Sequence, residues 1–369
     1  MARRIQDRRA TPWCLFQKAR SNPATGCASK IDAVALLRVG QFLLISVRIV
    51  LANETSGPGP VPISTLRIAT RKSPLALWQA EHVKRRLERH HVGLQCELVP
   101  MSTSGDRFLN AKLTEIGGKS MFVKELETAI MDGSADIAVH SMKDVTAALP
   151  DGLEIGVYLE REDPRDALVG AATGAPLANL EMLATGSRVG TASSRRQCQL
   201  LDMRPDLEIG LVRGNVNTRL RKLDEGEFDA LILAASGLMR LEMTARISAA
   251  LAPESMLPAV GQGVMGIECR SDDEDVKTVV GVLDDTHART CVLAERAMNA
   301  ALGGGCTAPL AGFATLEGNA LRLRGLVGRM DGTEILRAES EGPVDAPAEL
   351  GARVADQLLS QGARALLDL

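Results

Sequence analysis

Aromatic residues make up only 2% of this 369-residue chain, which leaves too few rings to stack the bases of single-stranded nucleic acid. Its seven cysteines (Cys14, Cys27, Cys96, Cys198, Cys269, Cys291 and Cys306) are scattered, odd in number and contain no C-x-x-C pair. That pattern excludes a disulfide framework and a zinc site and fits a reducing compartment. The five histidines show no H-x-x-x-H spacing, so no metal is expected. Nor is there a basic excess. Residues 63–369 hold 34 Lys/Arg against 43 Asp/Glu, a net charge of −9, which argues against a general nucleic-acid binder. The one extended apolar stretch, Ile31 to Ala52, is interrupted by Arg38, Gln41 and Arg48, so it makes a poor membrane span.

What is present begins with a leader unlike the rest. Residues 1–62 carry nine Lys/Arg against Asp7, Asp32 and Glu54, and end in Gly57-Pro58-Gly59-Pro60-Val61-Pro62, a linker composition. An organellar transit peptide is one reading. Sequence upstream of the true start is favoured, because hydroxyl residues are sparse, and the segment is expected to be poorly packed.

Beyond it, two patterns occur twice. Leu66 to Thr70 reads as a strand, and Ser73-Pro74 opens an amphipathic helix, Leu75 to Arg89. Arg188-Val189-Gly190-Thr191 followed by the helical run Arg195 to Leu201 repeats that sequence of elements. Likewise Phe122, Leu126 and Ile130 mark a helix face, followed by Gly133-Ser134-Ala135-Asp136 and the strand Ile137 to His140. Val216, Leu220 and Leu223 mark another, followed by Gly226-Glu227-Phe228-Asp229 and the strand Ala230 to Ala234. Two similarly wound α/β domains are therefore expected, each turning a helix N-terminus into a shared cleft, where anions bind favourably. The expected boundaries are 63–160 plus 264–282 for the first, with the run Met256 to Ile267 carrying the chain back into it, and 165–258 for the second. Residues 286–369 are expected to form a smaller α+β domain, with a strand turn at Asp331-Gly332 and a closing helix, Ala348 to Gln361.

Three motif matches fail on context. Gly261 to Gly266 spells G-x-G-x-x-G without opening a helix. Gly118-Lys119-Ser120 lacks the first glycine of a P-loop, and Ser193-Ser194 has no histidine placed to make a triad. The informative stretches are others. Gly303-Gly304-Gly305-Cys306 removes side chains just before a thiol, between a helical run, Thr290 to Leu302, and a strand-like run, Leu310 to Ala314. Taken alone, a helix end beside an inert cysteine is the commoner explanation. His140-Ser141-Met142-Lys143-Asp144 ends a buried strand, where side chains reach a cleft. Arg71, Arg195 and Arg196 fall at the strand-to-helix turns, and Arg213 and Arg219 flank Gly214-Asn215-Val216-Asn217. Singly, each is most simply a solvated arginine, and Asp144 a helix cap. Five arginines facing one cleft of an acidic protein instead point to a ligand with several carboxylates, which guanidinium forks match in bidentate fashion.

These stretches resemble the porphobilinogen deaminase (hydroxymethylbilane synthase) family. The resemblance is carried by LRIATRKSPLALWQ (66–79), DIAVHSMKDV (136–145), EREDPRDA (160–167), RRQCQ (195–199), LVRGNVNTR (211–219), residues 257–270 and Gly304 to Cys306. It covers about residue 64 to the C-terminus. It implies a transferase of tetrapyrrole (haem) biosynthesis that deaminates four porphobilinogen molecules and joins them head to tail on a covalently bound dipyrromethane primer, releasing hydroxymethylbilane. It also implies that Cys306 holds that cofactor through a thioether and that Asp144 is the catalytic carboxylate. Arg71, Arg195, Arg196, Arg213 and Arg219 match carboxylate-binding arginines, with Ser73, Lys143, Thr191 and Ser193 nearby, and Arg240 and Gln262 grouped with them. A cytoplasmic monomer is implied, with product passed to uroporphyrinogen-III synthase.

Ala192 and Ser194 depart from the hydroxyl-rich turn usual before Arg195, and Glu115 stands where some relatives have lysine. Glu115 lies in Ser102 to Ser120, a segment read as a lid over the cleft. A competing reading is a non-catalytic module: two periplasmic-binding-protein-like domains around a cleft also describe anion-binding solute receptors. The Cys306 loop weighs against it.

Overall fold

Ser73 and Pro74 start the first helix in the way their chemistry favours. Ser73 stays extended while its Oγ accepts a hydrogen bond from the Ala76 amide at 3.4 Å, and proline takes a position whose N–H has no helical partner. The resulting α1 (Pro74–His90) follows β1 (Thr65–Arg71) and buries Ala76, Ala80, Val83 and Leu87 against the sheet. The computed structural model describes residues 63–103, 123–174, 177–305 and 307–367. The leader, most of the Ser102–Ser120 segment with Glu115, Phe122 and Cys306 lie outside the described residues.

The first sheet has the order β2-β1-β3-β10-β4, adding β2 (Gln95–Met101), β3 (Ile137–Ser141), β10 (Met265–Arg270) and β4 (Leu153–Tyr158). β1 lies parallel to β2 and β3, and β10 runs antiparallel to β3 and β4. Both faces are covered. Ile68, Ile137, Val139 and Ile267 pack with Val83 and Leu87 of α1, while Ala69, Ala138 and Leu153 pack with Leu126 and Ile130 of α2 (Lys124–Met131). That two-sided burial explains why these strands read as continuous apolar runs.

The second sheet repeats the plan in the order β7-β6-β8-β5-β9, with β5 (Asp166–Gly170), β6 (Arg188–Gly190), β7 (Glu208–Gly210), β8 (Ala230–Ala234) and β9 (Ala249–Leu251). β6 is parallel to β7 and β8, and β5 is antiparallel to β8 and β9. Its helices are α3 (Ser194–Met203), α4 (Val216–Asp224) and α5 (Ala235–Arg240). The chain crosses between the sheets at residues 159–165 and returns at 252–264, and the Glu162 amide bonds Gly263 O at 3.1 Å where the two crossings meet. The G-x-G-x-x-G match is the turn that ends this return crossing and the start of β10, not a nucleotide loop.

After α6 (Glu274–Gly281) comes α7 (Thr286–Ala301), four residues earlier than its apolar pattern suggests, because Asp285 Oδ1 caps the Ala288 amide at 2.7 Å. An antiparallel meander, β11 (Leu310–Glu317), β12 (Ala320–Gly328) and β13 (Ile335–Pro343), is backed by α7 and α8 (Pro347–Ser360) over Met298, Leu321, Leu323, Val354 and Leu358. Among the described residues no helix is long and apolar enough to cross a membrane.

Candidate functional site

The end of β3 and the start of α3 face one cavity of about 320 Å³, lined by Lys143, Ser193 and Arg195 and, from the third unit, by Arg296, Asn299 and Gly303 to Gly305. Each arrives for a local reason. β3 closes in a single 3-10 turn, Met142–Asp144, so Met142 drops into the core while Lys143 is half-buried and Asp144 exposed. Ser193 caps α3, its Oγ taking the Arg196 amide at 3.4 Å, and Thr191 Oγ1 takes the Ser193 amide at 3.2 Å. Gly303 adopts φ +60°, a left-handed conformation open to glycine, and a Cβ on Gly304 would collide with Asn299 Oδ1. The glycines therefore serve close approach to α7 as well as access to the cavity.

Arg195 and Arg196 are less free than the sequence suggests. Both are buried and both clasp Asp166, the first residue of β5: Arg195 Nη1 is 2.8 Å from Oδ2 and Arg196 Nη2 is 2.8 Å from Oδ1. Arg195 Nη1 also donates to Leu257 O at 2.6 Å, and Arg196 Nη1 to Ile232 O at 3.1 Å. Burial alone would raise the Asp166 carboxyl, but the two guanidiniums outweigh it and hold it well below the usual carboxylate range. The three groups together keep one net positive charge beside the cavity. Arg195 Nε is buried with no partner among the described residues.

Burial pulls the Lys143 ammonium down to about 8, with Arg196 and Arg219 pushing the same way and Asp144 and Asp166 opposing. Arg219 donates to Gly214 O at 2.8 Å and is lowered to about 10 by burial and Arg196, Asp144 opposing, so it stays charged at neutral pH. Asp144, Lys143, Arg196 and Arg219 thus sit within one electrostatic neighbourhood.

Other expected site residues take supporting places. Arg240 is buried and donates to Gly263 O at 2.6 Å, bracing the return crossing. Gln262 Nε2 donates to Pro164 O at 2.6 Å and to Asp166 Oδ1 at 2.9 Å. Arg71 ends β1, Ser73 caps α1, and Arg213 lies between β7 and α4. His140 is buried against Glu268, Nε2 to Oε2 being 2.8 Å. Four residues that sequence reasoning did not single out matter here: Asp166, Arg296, Asn299 and Glu295. Glu295 Oε1 accepts from Arg161 Nη2 at 2.7 Å and from the Ala314 amide at 2.9 Å, and Oε2 from the Gly261 amide at 2.6 Å. The one available signal was for Asp166, a charge opening an otherwise apolar strand.

A second cavity, of about 200 Å³, lies between residues 253–257 and strands β12 and β13. Its Arg324 and Arg337 are already paired with Glu254 and Asp202. Among the described residues no cluster could hold a metal ion.

The charged side chains lining the cavity, Lys143, Arg195 and Arg296, are all cationic, within a chain of acidic balance, a setting that suits an anionic ligand. Residues 66–278 match the model "Porphobilinogen deaminase, dipyromethane cofactor binding domain", and residues 289–360 match "Porphobilinogen deaminase, C-terminal domain". The chain belongs to the porphobilinogen deaminase family, and it is a transferase of the hydroxymethylbilane synthase type in tetrapyrrole biosynthesis, with dipyrromethane as its cofactor. The residues present fit that group: each of its two pyrrole rings bears two carboxylates, and the cavity offers Lys143, Arg296, the unused Arg195 Nε and side-chain-free glycines.

Solved structures are similar only at a distance. The periplasmic VFT2 domain of BvgS from Bordetella pertussis is 15% identical, covering 59% of this chain and 85% of that one, with a TM-score of 0.37. The aliphatic sulphonate binding protein SsuA from Escherichia coli is 13% identical, covering 64% and 70%, with a TM-score of 0.34. The ancestral amino acid-binding protein AncCDT-1 is 13% identical, covering 60% and 88%, at 0.35. Scores this low carry no weight for ligand or activity.

Proposed function

We propose that the chain joins four porphobilinogen molecules head to tail on a dipyrromethane held through a thioether at Cys306, and releases hydroxymethylbilane. The observation that carries this reading is the convergence of Lys143, Ser193 and Arg195 with the Gly303–Gly305 loop, which leads directly to Cys306, on one cavity. When bound, the cofactor would supply a pyrrole α-carbon as nucleophile: a C–C bond forms to the aminomethyl carbon of porphobilinogen, the C–N bond there breaks with loss of ammonia, and the attacking α-carbon gives up its proton.

In this reading Asp144 accepts the pyrrole N–H groups, stabilises positive charge that develops on the rings and moves protons between steps, the tasks of a carboxylate placed at a cleft edge. Its exposed position at the end of the turn after β3 leaves it reachable from the cavity side. Lys143 and the Arg195–Arg196–Asp166 cluster hold carboxylates in place. Arg71, Arg213 and Arg219 extend that cationic surface for the lengthening product, and Ser73, Thr191, Ser193, Arg240 and Gln262 fix the turns and crossings that present it. The scattered free thiols suit a reducing, cytoplasmic setting, and a monomeric state and passage of product to uroporphyrinogen-III synthase belong to the same reading.

Intact mass spectrometry tests it. Purified protein is expected to exceed its sequence mass by a two-ring adduct, to gain single porphobilinogen increments on brief exposure to substrate, and to lose the adduct in Cys306→Ser. A parent protein at bare sequence mass with full bilane-forming activity would overturn it.

A further inference from the structure

Most arginines around the cavity are occupied. Arg195 and Arg196 share Asp166, and Arg219 is bonded to Gly214 O. Arg296 differs. It lies on α7, one turn before Asn299 and seven residues before Gly303, and it lines the cavity with Lys143. Its Nη2 donates to Thr146 O at 2.9 Å and to Ala147 O at 3.1 Å, the backbone just after the Asp144 turn. Its Nε and Nη1 have no partner among the described residues, and no carboxylate bridges to it. Burial lowers its guanidinium, and the titratable groups acting on it, Tyr158 and Glu268, oppose that shift.

A half-buried guanidinium with two carbonyl bonds on one nitrogen and free N–H groups on the others is oriented in advance for an anion. Holding the fork in place before binding reduces the ordering cost of the contact. From this geometry we infer that Arg296 binds a carboxylate of the pyrrole ligand in the cavity, while its Nη2 fixes the spacing between the glycine loop and the Asp144 turn. This rests on the transferase reading above, and it gives the third unit a direct part in ligand recognition rather than the sole task of presenting Cys306.

The test compares parent, Arg296→Lys and Arg296→Ala on porphobilinogen and on analogues with one side-chain carboxylate converted to an amide. Losing a hydrogen bond to a charged group is expected to lower kcat/KM on porphobilinogen by about 10- to 100-fold in Arg296→Ala. An amide analogue that is poor for the parent should be no worse, relative to porphobilinogen, for the variant. A merely structural arginine would depress both substrates equally and leave that discrimination intact, and this result would overturn the inference. Arg296→Lys, which keeps a cation but not the fork, is expected to fall between, and it serves if the alanine variant does not fold. Intact mass of each protein separates the two readings: an adduct on the parent with unchanged discrimination in the variants removes Arg296 alone, whereas no adduct on the parent removes the reading beneath it.

Discussion

Arg195 and Asp166 meet inside the protein, with Nη1 2.8 Å from Oδ2 and side chains 4% and 0% exposed, and Arg196 takes the other carboxylate oxygen. The turn that opens toward the cavity is therefore built on a charge balance between α3 and the first residue of β5. Removing the carboxylate would leave two adjacent guanidiniums buried without compensation.

Asp166→Asn is accordingly expected to lose about 3–5 kcal/mol of stability at neutral pH, the range for breaking a buried pair from one side. Because the folded carboxyl lies far below its unfolded value of about 3.9, its stabilisation is complete above that value and is lost as pH falls below it. Denaturant melts of parent and variant should differ by the same amount at pH 6 and pH 8. A deficit below 1 kcal/mol would show that the arginines do not depend on Asp166.

Lys143 is predicted to trade stability for binding. Its ammonium titrates near 8 when folded and near about 10.4 when unfolded. The unfolded chain thus holds more protons between those values, and stability due to this group rises with pH across that window. Cofactor-free Lys143→Gln should melt higher than cofactor-free parent at pH 7, with the gap narrowing toward pH 10. The same substitution should raise KM for porphobilinogen. A variant less stable than the parent at pH 7 would contradict the burial cost assigned to Lys143.

Asp144→Asn is expected to keep its cofactor mass and fold but to lose turnover by about 10²-fold or more, the scale for removing one group that stabilises developing charge. Single-turnover assays with mass detection check it. Turnover near that of the parent would remove Asp144 from the chemistry.

The strand and helix pattern of both wound units was legible because parallel strands buried on two faces leave continuous apolar runs, and Ser73-Pro74 and Ser193 mark helix starts. The doubled strand–turn–helix pattern pointed to two similarly wound units, whose sheets share the strand order of one plan. What was not legible is which arginines are spent internally. Arg195 and Arg240 look equivalent to Arg71 along the chain, yet one is held by Asp166, 29 positions away, and the other by a backbone carbonyl on the return crossing. Arg296 was missed for the converse reason. It sits mid-helix with no motif around it, and only the approach of α7 to residues 146–147 brings it to the cavity.

Glu295 supplies the last prediction. Its fully buried carboxylate ties Arg161 on the outgoing crossing, Gly261 on the return crossing and Ala314 on β11, while the Arg161 guanidinium also lies 5.4 Å from the Phe313 ring centroid. One side chain thus joins both interconnecting strands to the unit that carries the cysteine loop. Burial raises the Glu295 carboxyl, although Arg161 and the two amides pull it down. Arg161→Met removes the main opposing charge and raises it further. A carboxyl whose folded value is raised contributes stability below its unfolded value of about 4.3, and that contribution is lost as pH rises toward the folded value. The deficit of Arg161→Met relative to parent should therefore grow between pH 4.5 and pH 7, to about 3–5 kcal/mol at the upper end. Chemical denaturation at the two pH values measures it directly, and equal deficits at both would mean that Arg161 contributes packing against Phe313 rather than charge to Glu295.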